Sequence, residues 1–61
     1  MPDDTLLTGP RLREMRRRRG WSQERLAREL RVSTAAVRHW EAGRRAIRPM
    51  VADALRRALI P

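Results

Sequence analysis

Two helix-start signals that stand close together constrain the fold of this 61-residue chain more than any other feature. Ser22 and Ser33 are typical helix-capping residues, and an apolar residue, Trp21 or Val32, stands directly before each of them. Such an apolar residue packs on the first turns of the helix that follows it. The two serines are only eleven positions apart, so the first helix has room for about two turns. Residues 22–43 are therefore predicted to form a helix, a tight turn and a second helix.

One further helix is predicted on each side of this segment. Thr8 is a suitable cap for a helix that carries Pro10 in its first turn, and Gly20 is a suitable stop for it. After Gly43, a basic loop leads to Pro49, which can begin the last helix because proline fits the first helical position. Apolar residues recur beyond Pro49 at helical spacing, which predicts that this helix packs on the others.

The composition favours an all-α fold. Leu and Ala dominate the apolar residues, and the only aromatic residues are two Trp, which favours helices over strands. We expect one compact four-helix domain over residues 8–61, with a short fifth turn as an option, after a flexible arm of residues 1–7 that docks Leu6 or Leu7 on the domain. The chain has no cysteine. Helix packing, aided by a second copy of the chain, must therefore stabilise a domain this small.

The net charge and the residue types present limit the functions that are possible. The 15 basic residues are all Arg and outnumber 7 acidic ones, and the resulting net charge of +8 favours a polyanionic partner such as nucleic acid. One His, no Cys and three isolated Gly offer no nucleophile with its base, no metal-ligand cluster and no phosphate-binding loop. We therefore expect no enzyme, no metal and no cofactor. No apolar run suits a signal peptide or a membrane span, and we expect a cytoplasmic protein.

A longer pattern of fixed residue types overlies the helix signals. It consists of Gly20, Trp21, Ser22, Gln23, Leu26, Ala27, Val32, Ser33, Val37, Trp40, Glu41 and Gly43. This pattern resembles the helix-turn-helix of the lambda-repressor and Cro-like, or xenobiotic-response-element, family, and the resemblance covers roughly residues 10–59. One position departs from it, because Arg31 stands where the family usually has Gly in the turn. A left-handed backbone there costs about 1 kcal/mol more for Arg than for Gly.

The resemblance implies that the second helix of the motif enters the major groove of DNA. If Val37 and Trp40 face inward, the opposite side of this helix carries the base-reading candidates, which are Thr34, Ala35, Arg38 and His39. For Thr34 and Ala35, helix propensity without any DNA contact explains the residue equally well. The candidates for phosphate contacts are Ser22, Gln23, Ser33, Arg44, Arg45 and Arg48, followed by Arg17 and Arg19.

Two further groups of residues have structural roles. Glu41 falls on the inner side of its helix, where an unpaired carboxylate is costly, and the resemblance implies an ion pair between Glu41 and Arg16. Leu55, Leu59 and Ile60 are candidates for the contact between two copies of the chain. Closing the core of the monomer is an alternative role for these three residues.

These features predict a sequence-specific, double-stranded-DNA-binding transcriptional regulator of bacterial or phage origin. We expect a small homodimeric repressor of its own or a neighbouring operon, bound to a two-fold operator. One alternative is an antitoxin or phage accessory module that binds a protein partner. The other is a non-specific nucleic-acid-binding protein, which would bind unrelated sequences equally and with a steep salt dependence.

Overall fold

The computed structural model describes residues 7–60, which form four α-helices. They are α1 (Gly9–Arg19), α2 (Gln23–Leu30), α3 (Thr34–Glu41) and α4 (Pro49–Leu59). The described part of the chain contains no strand, so the predicted all-α, four-helix architecture is confirmed. Leu6, one of the two residues predicted to dock on the domain, lies outside the described residues.

The first three helices begin at the predicted capping side chains. The hydroxyl oxygens of Thr8, Ser22 and Ser33 each accept a hydrogen bond from the backbone N–H three residues ahead, at 3.3, 3.0 and 3.1 Å. α1 ends at Gly20, whose φ of 77° is in the left-handed region that glycine enters at little cost. The starts of these three helices and the end of α1 therefore coincide with signals that are local in the sequence.

The turn between α2 and α3 contains the one departure from the family pattern. Arg31 has a φ of 57°, and no other non-glycine residue within residues 7–60 has a positive φ. Its N–H bonds the carbonyl of Arg28 at 3.2 Å, and the next N–H bonds that of Ala27 at 2.9 Å. The turn therefore has the left-handed geometry that normally takes glycine, with an arginine in it.

The core lies where the four helices meet, and each helix contributes to it. Its most buried side chains are Leu12, Leu26, Val37, Ala52 and Leu55. Two residues outside the helices, Leu7 and Ile47, are also buried in it. Leu7 fastens the chain just before α1, and Ile47 fastens the loop between α3 and α4.

The burial of α4 corrects part of the predicted self-contact. Leu55 and Leu59 are 0% and 5% exposed, because α4 turns this side towards α1 and α2. Side chains so deeply buried have no surface to offer a second copy, so the prediction that they form the dimer contact is wrong. They close the core of the monomer instead. Ile60 is 56% exposed.

The start of α1 lies directly against the end of α3. A Cβ atom added at Gly9 would stand 2.5 Å from the carbonyl oxygen of Glu41 and closer still to that of Trp40. These are backbone atoms, which cannot swing aside as a side chain does. Only glycine allows the two helices to approach this closely, and the approach fixes α1 against the C-terminal end of α3.

Candidate nucleic-acid interface

The two sides of α3 differ sharply in exposure. Ala36, Val37, Trp40 and Glu41 are buried against the rest of the domain. The predicted base-reading residues lie on the other side, where Ala35, Arg38 and His39 are exposed and Thr34 is half-buried. The four candidates therefore share one surface of a helix that is held firmly from behind.

The surface that surrounds α3 is positively charged. Arg44, Arg45 and Arg48 follow α3 in the loop and are exposed. Within residues 7–60, neither these three guanidinium groups nor that of Arg38 forms an ion pair. The only acidic residue of the segment 33–49 is Glu41, which is buried. This stretch of chain presents positive charge to solvent with no exposed carboxylate to offset it.

The two capping serines lie at the exposed starts of α2 and α3. The oxygen of Ser22 and that of Ser33 each accept a backbone N–H of their own helix. A serine hydroxyl that accepts one bond still has its own proton to donate. Capping is therefore compatible with a phosphate contact at either residue.

The buried Glu41 is joined to Arg16 by two hydrogen bonds. Arg16 Nε lies 2.6 Å from Glu41 Oε2, and Arg16 Nη2 lies 3.0 Å from Oε1. The two side chains are 12% and 1% exposed. Arg16 Nη1 also donates to the backbone carbonyl of Trp21 at 2.9 Å. One guanidinium group thus connects α1, the turn before α2 and the end of α3.

Two other side chains also donate to Glu41 Oε1. They are Gln23 through Nε2, at 3.2 Å, and Arg13 through Nε, at 3.4 Å. The predicted sites include Gln23 but not Arg13. The spacing of Arg13 and Arg16, three positions apart on one helix, places both on the same side of α1 and is the signal that identifies Arg13.

These contacts determine the charge state of the cluster. Burial alone would raise the pKa of Glu41, but hydrogen bonds from Arg16 and Gln23, the charge of Arg16 and the bond from Arg13 outweigh it, so this pKa lies below its usual value. The pKa of Arg16 is raised, chiefly by its hydrogen bond to Glu41 and against the effect of burial. The pair therefore stays ionised at neutral pH.

The two phosphate candidates on α1 have different surroundings. Arg17 is exposed. The guanidinium carbon of Arg19 lies 5.2 Å from the centre of the Trp21 ring, and that of Arg25 lies 4.8 Å from it. A guanidinium group stacked on an aromatic ring keeps its edge N–H groups available for other partners. The structure therefore brings Arg19 to Trp21, which directly precedes Ser22 and the start of α2 at Gln23.

A family model described as helix-turn-helix matches residues 12–59. The chain belongs to this Cro/C1-type family. The match extends from the first turn of α1 to the last residue of α4, and it identifies a DNA-binding domain of the transcription-regulator type. Comparisons with curated proteins and with solved structures found no match. None of the helices within residues 7–60 is long and apolar enough to cross a membrane.

Proposed function

We propose that this helix-turn-helix protein is a sequence-specific DNA-binding repressor of its own or a neighbouring operon. The observation that carries the proposal is the exposed side of α3, which offers Arg38 and His39 amid arginines that have no carboxylate partner. In the major groove, Arg38 pairs with guanine, and His39 donates to a guanine or a phosphate. Ala35 contacts a thymine methyl group, and the hydroxyl of Thr34 bonds a base or a phosphate.

The backbone contacts come from residues around α3. Arg44, Arg45 and Arg48 bind phosphates from the loop, while Ser22, Ser33, Arg17 and Arg19 do so from the other helix ends. Contacts of this kind fix the register of the protein on DNA without reading sequence. Repression then follows from occupancy, since a protein bound across a promoter blocks polymerase. The protein acts in the cytoplasm, with the chromosome or phage DNA as its partner.

The proposed regulator is a homodimer on a two-fold operator. One recognition helix of eight residues reads few base pairs, so specific binding needs two half-sites about one helical turn, roughly 34 Å, apart. The domain measures 32 × 26 × 18 Å. Two copies side by side along one of its longer dimensions suit that spacing.

The self-contact is assigned to an uncharged surface beside α3. Met50 is 85% exposed and Val32 is 36% exposed. Together with Leu30, Trp40, Val51 and Ala54, they line a shallow cavity of about 230 Å³ that has no charged side chain. In a protein of net charge +8, two copies repel each other least across such a surface.

The test of base reading is Arg38→Ala, compared with Arg57→Ala. Arg57 is an exposed arginine on α4 that pairs with Asp53 at 3.1 Å. Affinities are measured on the duplex that the wild type prefers and on a scrambled duplex. We expect Arg38→Ala to lower the preference about tenfold or more, the equivalent of one bidentate base contact, and Arg57→Ala to leave it unchanged. An unchanged preference in Arg38→Ala would show that Arg38 reads no base.

A further inference from the structure

One carboxylate oxygen draws together side chains from three helices. Glu41 Oε1, on α3, accepts hydrogen bonds from Arg16 at 3.0 Å, from Arg13 at 3.4 Å and from Gln23 at 3.2 Å. Arg13 belongs to α1, and Gln23 is the first residue of α2. Arg13 Nε and Gln23 Nε2 therefore meet at one oxygen atom, although 10 positions separate the two residues in the sequence.

The cluster around Glu41 has a net positive charge. Two guanidinium groups face one carboxylate, and Arg16 takes most of the pairing through its two bonds to Glu41 and a third to Trp21. Arg13 is 47% exposed and is linked to Glu41 only through Nε, at 3.4 Å. Within residues 7–60, its two terminal amino groups have no hydrogen-bond partner. The surplus charge therefore belongs to Arg13, at the solvent edge of the cluster.

The position of Gln23 indicates which group binds the positive charge of Arg13. In a helix-turn-helix, the first helix of the motif crosses the DNA backbone, and Gln23 begins that helix here. A group beside Gln23 therefore lies near a phosphate when α3 occupies the groove. Arg13 offers that phosphate its terminal N–H groups, which form short, charge-assisted bonds to phosphate oxygens.

We infer that Arg13 and Gln23 bind one DNA phosphate together and that Glu41 positions both of them for it. The inference rests on the proposed DNA binding and adds Arg13 to the contacts with DNA. Arg13 keeps its Nε bond to Glu41, because the phosphate binds the terminal amino groups. Glu41 keeps its two bonds to Arg16 throughout, so no buried charge is left without a partner.

The first test is the salt dependence of binding, measured on the duplex that the wild type prefers. Each arginine–phosphate contact contributes about 0.9 to the slope of log affinity against log salt. A fourfold rise in salt should therefore weaken the wild type about 3.5-fold more than Arg13→Gln. Arg13→Lys keeps the charge and should restore the slope. Gln23→Ala should weaken binding at every salt concentration without changing the slope, because glutamine is neutral.

The matched control is Arg18→Gln. Arg18 lies on the same helix, is 75% exposed and pairs with Glu14 at 2.8 Å, so its removal lowers the net charge by the same amount. We expect the slope of Arg18→Gln to equal that of the wild type. If Arg13→Gln and Arg18→Gln change the slope equally, the effect is one of overall charge and the inference is wrong.

The second test is a double-variant cycle between Arg13→Gln and Gln23→Ala. Two residues that hold one phosphate are coupled, so the double variant should lose clearly less affinity than the product of the two single losses. If the two losses of affinity multiply fully, Arg13 and Gln23 do not bind the same phosphate and the inference is wrong. Absence of any DNA binding by the wild type would instead defeat the proposed function, so the two failures are distinguishable. Thermal melting of each variant shows that it is folded.

Discussion

At the scale of single residues, Arg31 occupies the left-handed position of the turn on which the motif depends. Its φ of 57° lies in the left-handed region, where the Cβ of any L-residue crowds the following carbonyl oxygen. The hydrogen bonds around the turn offset this free-energy cost, since they satisfy the last carbonyl groups of α2. The arginine is exposed, so it adds positive charge beside the recognition helix in return for a small loss of stability.

Replacing Arg31 by Gly should therefore stabilise the protein. We expect a gain of about 0.5–1 kcal/mol in the free energy of unfolding, because glycine adopts the left-handed conformation without strain. Urea denaturation of Arg31→Gly and of Arg28→Gly provides the comparison. Arg28 is an exposed residue within α2, where glycine should cost about 1 kcal/mol. Destabilisation in both variants would contradict the account of the turn.

At the scale of the helices, prediction from sequence succeeded where the determining signals are local. Thr8, Ser22 and Ser33 cap their helices through contacts within three residues, so the starts of α1, α2 and α3 are readable along the chain. The roles of Gly9 and Ile47 were missed because they arise from contacts with distant residues. Two roles stayed open for Leu55 and Leu59 for the same reason: helical spacing does not show which neighbour covers an apolar face.

The link between α1 and α3 through Glu41 makes stability depend on pH. The pKa of Glu41 is below its usual value of 4.5 in the folded protein, so the ionised carboxylate favours the folded state. The stabilisation by Glu41 is fully present above the unfolded-state pKa of about 4.5. It is lost as the pH falls through the lower folded-state pKa. The free energy of unfolding, measured by urea denaturation between about pH 7 and pH 3, should fall on acidification.

Two variants assign this pH dependence to the cluster. Glu41→Gln removes the titrating group and should flatten the acidic part of the profile, while it lowers stability at neutral pH because Arg16 loses its buried partner. Glu14→Gln removes only an exposed pair on α1 and should keep the acidic loss that Glu41 causes. An unchanged profile in Glu41→Gln would contradict the role assigned to Glu41.

At the scale of the whole molecule, the distribution of charge separates two kinds of surface. Exposed arginines surround the recognition helix, whereas the cavity beside Met50 and Val32 has no charged lining. The first surface suits a polyanion, and the proposed self-contact lies on the second, where two positively charged copies repel each other less. The two surfaces adjoin each other, because Val32, Trp40 and Val51 also line a second cavity together with Arg45 and Arg48.

Met50→Arg should separate the dimer into monomers, because it places two like charges in the proposed contact. Sedimentation equilibrium distinguishes the monomer of 7.2 kDa from a species of twice that mass. Ile60→Arg is the control, since Ile60 is also exposed and apolar but does not line the cavity. If the wild type is a dimer and Met50→Arg remains one, the self-contact lies elsewhere.

The exposed side of α3 is proposed to read a DNA sequence. Fluorescence anisotropy tests it most directly, with the wild type titrated against the duplex from upstream of its own gene and against a scrambled duplex at about 0.15 M salt. We expect a preference of about a thousandfold for the upstream duplex. Equal, salt-sensitive affinity for both would instead identify a non-specific nucleic-acid-binding protein, and no binding to either would favour a protein partner and contradict the account.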